Sequence, residues 1–471
     1  MAKTWIATLA VALAFLALSA PASAFSKQDL TVASFDGTPI AASLFLPDAQ
    51  APAGGYPAVI LMHGLGSNRA SMSAVAQTMG LIGEQYAVLT FDARGHGQSG
   101  GLISIDGPNE IADTRAVFSW LAARPDVAAA RIGAVGISLG GGAAWNSLAA
   151  GVPWGAVEII ESWTNLQSAL VPQGLAKSGV IAGFLGSLPA GRIDPVLLGV
   201  RDAAYSGSLA GVSPFAAARS SLQALKGVTA PVFMMQGRRD FAFGMGQALQ
   251  AYNALAGPKR LWLGLHGHAP SSFPAADSGA MLAEATQWLD HYLRHQANGI
   301  ELSQPIAIAP ENWAGSPARF DAPPKPVAQI VRLAGNASIA QSGTVQRTSP
   351  RLRKALEVFG APTVTVQAQA STGWTRLVAI LSAKTPSGRQ IVVAGGGVPL
   401  TPARQATTIY LTNQATLIPS GSTLTLTLGS SSLAQDPSNL LYLDLPLEAG
   451  ARVTVGPATV SLPTLPKPVS G

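Results

Sequence analysis

Two patterns of hydrophobic and polar positions divide this chain near residue 300. Before it, short unbroken apolar runs alternate with longer stretches whose apolar residues recur every three or four positions. The runs "PAVILMH" (57–63), "YAVLTFD" (86–92), "RIGAVGI" (131–137), "WGAVEII" (154–160), "PVFMMQG" (231–237) and "RLWLGL" (260–265) predict strands buried on both faces, with the last as the final strand. Helices are predicted from Ala70 to Glu84, over "NEIADTRAVFSWLAARP" (109–125) with Asn109 as N-cap, after Ile137, and over 280–296. "DLTVASFD" and "IAASLFLP", on either side of Gly37-Thr38-Pro39, predict an opening hairpin. Strands spaced by helices predict an α/β fold over 25–300, with a doubly wound, mostly parallel sheet.

The alternation breaks between about 163 and 226, where the chain is apolar, glycine-rich and helical in tone. An insertion between two core strands predicts a helical lid over the sheet edge, or else a plain extra packing layer. After 300 a proline-rich stretch reads as a linker, 301–326. From 327 to 465 period-two runs such as "TVTVQAQA", "RLVAILSA" and "TLTLTLG" predict an all-β sandwich, a jelly roll.

Composition adds three constraints. Lys3, the apolar run 5–18 and "APASA" read as a secretory signal peptide, residues 1–24, cut after Ala24; a retained anchor helix is the alternative. This predicts export to the periplasm or the extracellular space. The apolar stretch 179–200 carries Arg192, Asp194 and two prolines, which excludes it as a membrane span. There is no cysteine, so thiol nucleophiles and Cys-ligated zinc are excluded, and stability must come from packing. The net charge of +6 is not gathered into a run, which argues against a nucleic-acid partner. No cofactor is predicted. Oligomeric state is not legible.

Candidate chemistry begins with two G-x-S-x-G matches. With 50 glycines in the chain the pattern alone is weak, so context decides. Ser138, in Gly136-Ile137-Ser138-Leu139-Gly140, sits between a predicted strand and a predicted helix, as an exposed nucleophile requires. Ser99 lies seven residues past its strand and is followed by loop, so it reads as structural. A serine needs a base, and the base an orienting acid. His268 and His266 follow the last predicted strand, at the sheet edge where chemistry is expected. His268, farther from the strand, is the better base, and His266 stays open. Asp240 ends "FMMQGRRD" at the same edge, and the order Ser138, Asp240, His268 fits. Backbone N–H groups of Leu65 and Leu139 are the candidate oxyanion donors. His291 and His295 are read as a solvated helix face, not a metal site. An inactive hydrolase scaffold that binds carbohydrate or a protein partner is the competing class.

"HGLGSN", "FDARGHGQS", "GISLGG", "APVFMMQGRRD" and "GHAP" resemble, in order, the sheet-edge motifs of the α/β-hydrolase family over about 30–296. "LEVFGAPTVTVQAQASTGWTRLVAILSAKTPSGRQ" and "TLIPSGSTLTLTLGSSS" resemble the C-terminal jelly roll of the X-Pro dipeptidyl-peptidase and cocaine-esterase family. The resemblance implies a Ser-His-Asp hydrolase of small esters, amides or short peptides. Several members of that family use a tyrosine in the oxyanion hole. "HGLGSN" has none, which favours two backbone donors. A peptidase of this kind must also hold a free amine. Glu161, with Glu158 the only acidic pair near the edge, is the tentative substrate-binding residue, and a paired strand end is its alternative role.

Overall fold

The computed structural model describes residues 25–469 except 270, 312, 314, 315 and 433–440. The signal-peptide reading of 1–24 lies outside the described residues. The first part of the chain forms a sheet from β1 (Phe25–Ala33), β2 (Pro39–Pro47), β3 (Tyr56–Met62), β4 (Ala87–Phe91), β5 (Val127–Ile137), β6 (Val157–Ile160), β7 (Val232–Gly237), β8 (Lys259–Gly264), β9 (Ile306–Ile308) and β10 (Ala318–Phe320). Their order is β1-β2-β4-β3-β5-β6-β7-β8-β9-β10, parallel from β4 to β9 and antiparallel at both ends.

Nine helices are described with it: α1 (Arg69–Thr78), α2 (Pro108–Ala122), α3 (Leu139–Ala149), α4 (Leu166–Leu170), α5 (Ser178–Gly186), α6 (Pro195–Tyr205), α7 (Leu209–Ala217), α8 (Gly246–Ala254) and α9 (Ala275–Arg294). The unbroken apolar runs follow from the two covered faces. In β3, Ala58, Ile60 and Met62 pack in the layer with α2, α3 and α8, while Val59 and Leu61 pack in the layer with α1 and α9. Helices α4 to α7 fill the insertion between β6 and β7, where the lid was expected, and form a cap with its own apolar clusters.

Three expectations are corrected. The stretch 301–326 is not only linker. "PIAIAP" supplies β9, which pairs with β8, and β10 folds back on β9, so β8 is not the last strand. Three buried residues between prolines are too short to show a period. Helix α1 stops at Thr78 rather than Glu84, because Gly80 turns into the left-handed region at φ 69°. Helix α2 starts at Pro108, with Gly107 rather than Asn109 as N-cap; proline preforms the first turn and the Glu110 carboxylate accepts the Gly107 N–H.

The rest of the chain is antiparallel: β11 (Val327–Leu333), β12 (Ala337–Ala340), β13 (Thr344–Thr348), β14 (Leu356–Gly360), β15 (Thr363–Ala370), β16 (Arg376–Lys384), β17 (Gln390–Pro399), β18 (Arg404–Tyr410), β19 (Gln414–Ile418), β20 (Thr423–Gly429) and β21 (Arg452–Thr464). One sheet runs β18-β15-β21-β14-β19 with β11 and β12 also on β21; the other runs β13-β20-β16-β17. The two share one core. Strand β15 alternates buried and exposed residues, as a half-covered strand must. Strand β16 does not alternate. Leu377, Ala379 and Leu381 face the β core, while Val378 and Ile380 pack with Phe241 of the first part and with Leu441 and Tyr442.

A buried ion pair also joins the two parts. Arg238, just past β7, donates to Glu357 in β14 at 2.8 Å, and both side chains are fully buried. Arg238 also donates to the Ala309 carbonyl. Removing one member of such a pair leaves a desolvated charge, so Glu357→Ala is expected to cost about 3–5 kcal/mol. Lys27→Ala, at an exposed pair with Asp29, is expected to stay within about 0.5 kcal/mol. Urea unfolding of both variants checks the contrast.

Candidate active site

Ser138 stands where β5 gives way to α3. Its backbone is in a strained positive-φ conformation, φ 54° and ψ −111°. Chain crossings this tight need glycine. A Cβ on Gly136 would lie 2.2 Å from the Gly140 carbonyl oxygen, and one on Gly140 would lie 2.1 Å from that of Met62. The two flanking glycines of the motif are thus steric requirements of the turn, and the turn lifts the serine to the sheet edge.

Ser138 Oγ is 2.9 Å from His268 Nε2, and His268 Nδ1 is 2.8 Å from Asp240 Oδ2. A carboxylate only accepts, so Nδ1 carries the proton and Nε2 faces the serine as an acceptor. Asp240 is fully buried, and its charge is met on every side: Oδ1 accepts from the Ala242 and Phe243 N–H groups at 2.9 Å, and Oδ2 also accepts from the His268 N–H at 3.1 Å. Burial works to raise the Asp240 carboxyl, but His268 and these N–H groups outweigh it and hold it below the usual value. Burial likewise works to lower His268; the Asp240 charge and hydrogen bond, with Glu161 adding to them, outweigh it and set the imidazole above its ordinary value. Phe184 and Phe243 pack edge-on against the His268 ring, 5.5 and 5.0 Å between centroids, and shield it from water.

Leu65 and Leu139 flank Ser138 in the wall of one cavity. Their backbone N–H groups have no hydrogen-bond acceptor among the described residues. The Leu65 loop passes close to Ser138: a Cβ on Gly64 would sit in ordinary contact, 3.5 Å from that of Ser138. His63 anchors the loop. It accepts the Ala93 N–H on Nε2 and donates from Nδ1 to the Gly64 carbonyl, so it is neutral. Burial, helped by neighbouring His96, lowers its pKa to about 4.

The other sequence candidates lie elsewhere. Ser99 is buried, donates to the Asp92 carbonyl and accepts the Ala41 N–H, a structural role as expected. His266 is fully buried against Asp277, 3.7 Å away. His291 pairs with Glu301, and His295 ends α9 in the left-handed region. Glu161 ends β6 at φ 55°, buried beside Asp240 and His268 rather than in the cavity wall, and burial raises its carboxyl. Glu161, Asp240 and His268 offer ligand atoms within 4.8 Å of one another, but Asp240 Oδ2 and His268 Nδ1 already engage each other.

Two groups had no sequence signal. Lys177 of the cap, fully buried, donates to the Phe241 and Ala242 carbonyls, and burial lowers its pKa to about 8. From the β-rich part, Gln414 donates to the Asp240 carbonyl at 2.9 Å and the Ala415 N–H to that of Arg238. Both act on backbone carbonyls, which any sequence presents.

His63 predicts an acid-side stability change. Its folded pKa lies below its unfolded value, so its contribution is complete above pH 6.5 and is lost as pH falls from 6.5 towards about 4. That gap corresponds to about 3 kcal/mol, and urea midpoints from pH 7.5 to 4.5 should fall less in His63→Gln than in the native protein. Gln414→Ala should lower kcat about tenfold with little change in KM, read by steady-state kinetics, because it loosens the Asp240 loop rather than the cavity.

Residues 36–186 match the X-Pro dipeptidyl-peptidase (S15 family). No curated protein matches this chain. Among solved structures, a CocE/NonD family hydrolase from Staphylococcus aureus aligns over 94% of both chains, at 13% identity and a TM-score of 0.72. An α-amino acid ester hydrolase aligns over 96% of this chain and 99% of its own, at 15% identity and 0.71. An aminopeptidase from a marine sediment archaeon, Thaumarchaeota archaeon, aligns over 94% of this chain and 96% of its own, at 14% identity and 0.70. At such identities these likenesses carry the fold, a mixed sheet followed by an antiparallel β-rich part. The chain is a serine hydrolase of the α/β-hydrolase fold, similar to the X-Pro dipeptidyl-peptidase (S15) family over residues 36–186.

Proposed function

We propose that this chain is an exported hydrolase that cleaves esters through Ser138, His268 and Asp240, with an acyl-enzyme intermediate. The observation that carries the reading is the continuous line of hydrogen bonds from Ser138 Oγ through His268 to Asp240, in the tautomer that leaves Nε2 free to take a proton. Ser138 Oγ bonds to the carbonyl carbon as its proton passes to His268 Nε2. The carbonyl oxygen takes the negative charge and lies against the Leu65 and Leu139 N–H groups. The bond to the leaving alcohol then breaks, and His268 returns the proton to that oxygen. Water then attacks the acyl-serine carbonyl as its proton passes to the same nitrogen; the bond to Ser138 Oγ breaks, His268 returns the proton to that oxygen, and the acid is released. Asp240 holds the imidazole and stabilises its charged form; it keeps its own charge throughout. Amide bonds are within reach of the same chemistry. The N-terminal segment 1–24 would be removed on export, leaving Phe25 first, which N-terminal sequencing of the mature protein checks.

A fluorophosphonate probe should label the native protein and not Ser138→Ala; no labelling of the native protein would end this reading. Asp240→Asn should lower kcat by about 10³–10⁴-fold through the wrong tautomer. Only neutral His268 can act as base, so kcat/KM should fall as pH drops, along a limb whose apparent pKa lies above 6.5.

A further inference from the structure

We infer that the cavity beneath the cap takes the acyl chain of an uncharged, apolar ester, and that a substrate with an ammonium group near its carbonyl is disfavoured there. This rests on the nucleophile reading above and goes one step further, to the substrate class. The cavity has about 800 Å³ of space outside protein atoms, part of it open solvent, and its described lining is mostly apolar. Near Ser138 its wall is Leu139, Trp163 and Phe243. Away from it the wall is made by cap residues such as Val171, Ala204 and Val212, which belong to a separate apolar cluster.

Charge separates the possible ligands. No aspartate or glutamate is among the described residues that line the cavity. Among the described lining residues the one charged side chain is cationic Arg201, bonded at 2.8 Å to neighbouring Asp202. A substrate ammonium would lose its water there and meet no counter-charge, which is costly. Glu161 is buried beside Asp240 and His268 and is not among the lining residues.

The placement of Ser138 separates acyl from alcohol. The leaving oxygen must receive its proton from His268 Nε2, so the alcohol lies on the histidine side. The cavity wall includes Ser138 and both flanking N–H residues but not His268. The space beneath the cap is therefore left to the acyl group.

Chain-length kinetics test this. With p-nitrophenyl acetate, butyrate, octanoate and palmitate, kcat/KM should rise by about fourfold for each methylene the cavity buries. Octanoate should exceed acetate by well over tenfold. p-Nitrophenyl α-aminooctanoate should be at least tenfold poorer than octanoate. Ala204→Trp and Val212→Trp fill the distal end from different helices, and each should lower the octanoate-to-acetate ratio tenfold or more. Fluorophosphonate labelling of the same samples keeps the two readings apart. Intact labelling with a flat profile, or a preference for the α-amino ester, overturns the acyl-chain inference and leaves the nucleophile standing. Absence of labelling overturns the nucleophile itself.

Discussion

A carboxylate without water must be given hydrogen bonds from every direction, and the burial of Asp240 imposes that demand on the whole molecule. Three N–H groups and one imidazole meet it, and all belong to two loops at the sheet edge. Those loops keep their shape only because other parts of the chain hold them. Lys177 reaches in from the cap to the carbonyls of Phe241 and Ala242. Gln414 and Ala415 reach in from the β-rich part to those of Asp240 and Arg238. A stretch of a few residues thus has contacts with both the cap and the β-rich part.

The same economy explains the turn at Ser138. Ser138 is held in an unfavourable backbone conformation by a sharp crossing that only glycines permit. The strain is local, but the structure that sustains it is not, since β3, β5 and α3 must all arrive at one point. Cap residues then line the space above it.

Much of this was legible in the chain. The buried parallel strands announced themselves as apolar runs because both faces of the sheet are covered, and "GISLGG" announced the turn because its glycines are sterically required. The order of Ser138, Asp240 and His268 followed from strand ends. Other features were hidden for physical reasons. Strand β9 is three residues long between prolines, so it has no period to read. Lys177 and Gln414 bind backbone carbonyls, which leave no mark in a partner's sequence. Glu161 was placed at the right strand end, but from sequence a buried acid and an exposed one look alike, and only the fold puts it beside Asp240 and His268 rather than in the cavity wall.

Strand β16 has a consequence for how the two parts are to be regarded. "RLVAILSA" does not alternate, because the face turned away from the β core is covered by Phe241, Leu175 and Val180 of the hydrolase part together with Leu441 and Tyr442. Sheets with one wet side tolerate separation; this one would bare a greasy strip if it stood alone, and its neighbour would lose the grip on its acid loop. The change of composition near residue 300 marks a change of architecture without marking a seam. Cutting the chain at that change would uncover Val378 and Ile380 on one side and leave the Arg238 and Asp240 carbonyls without their donors on the other.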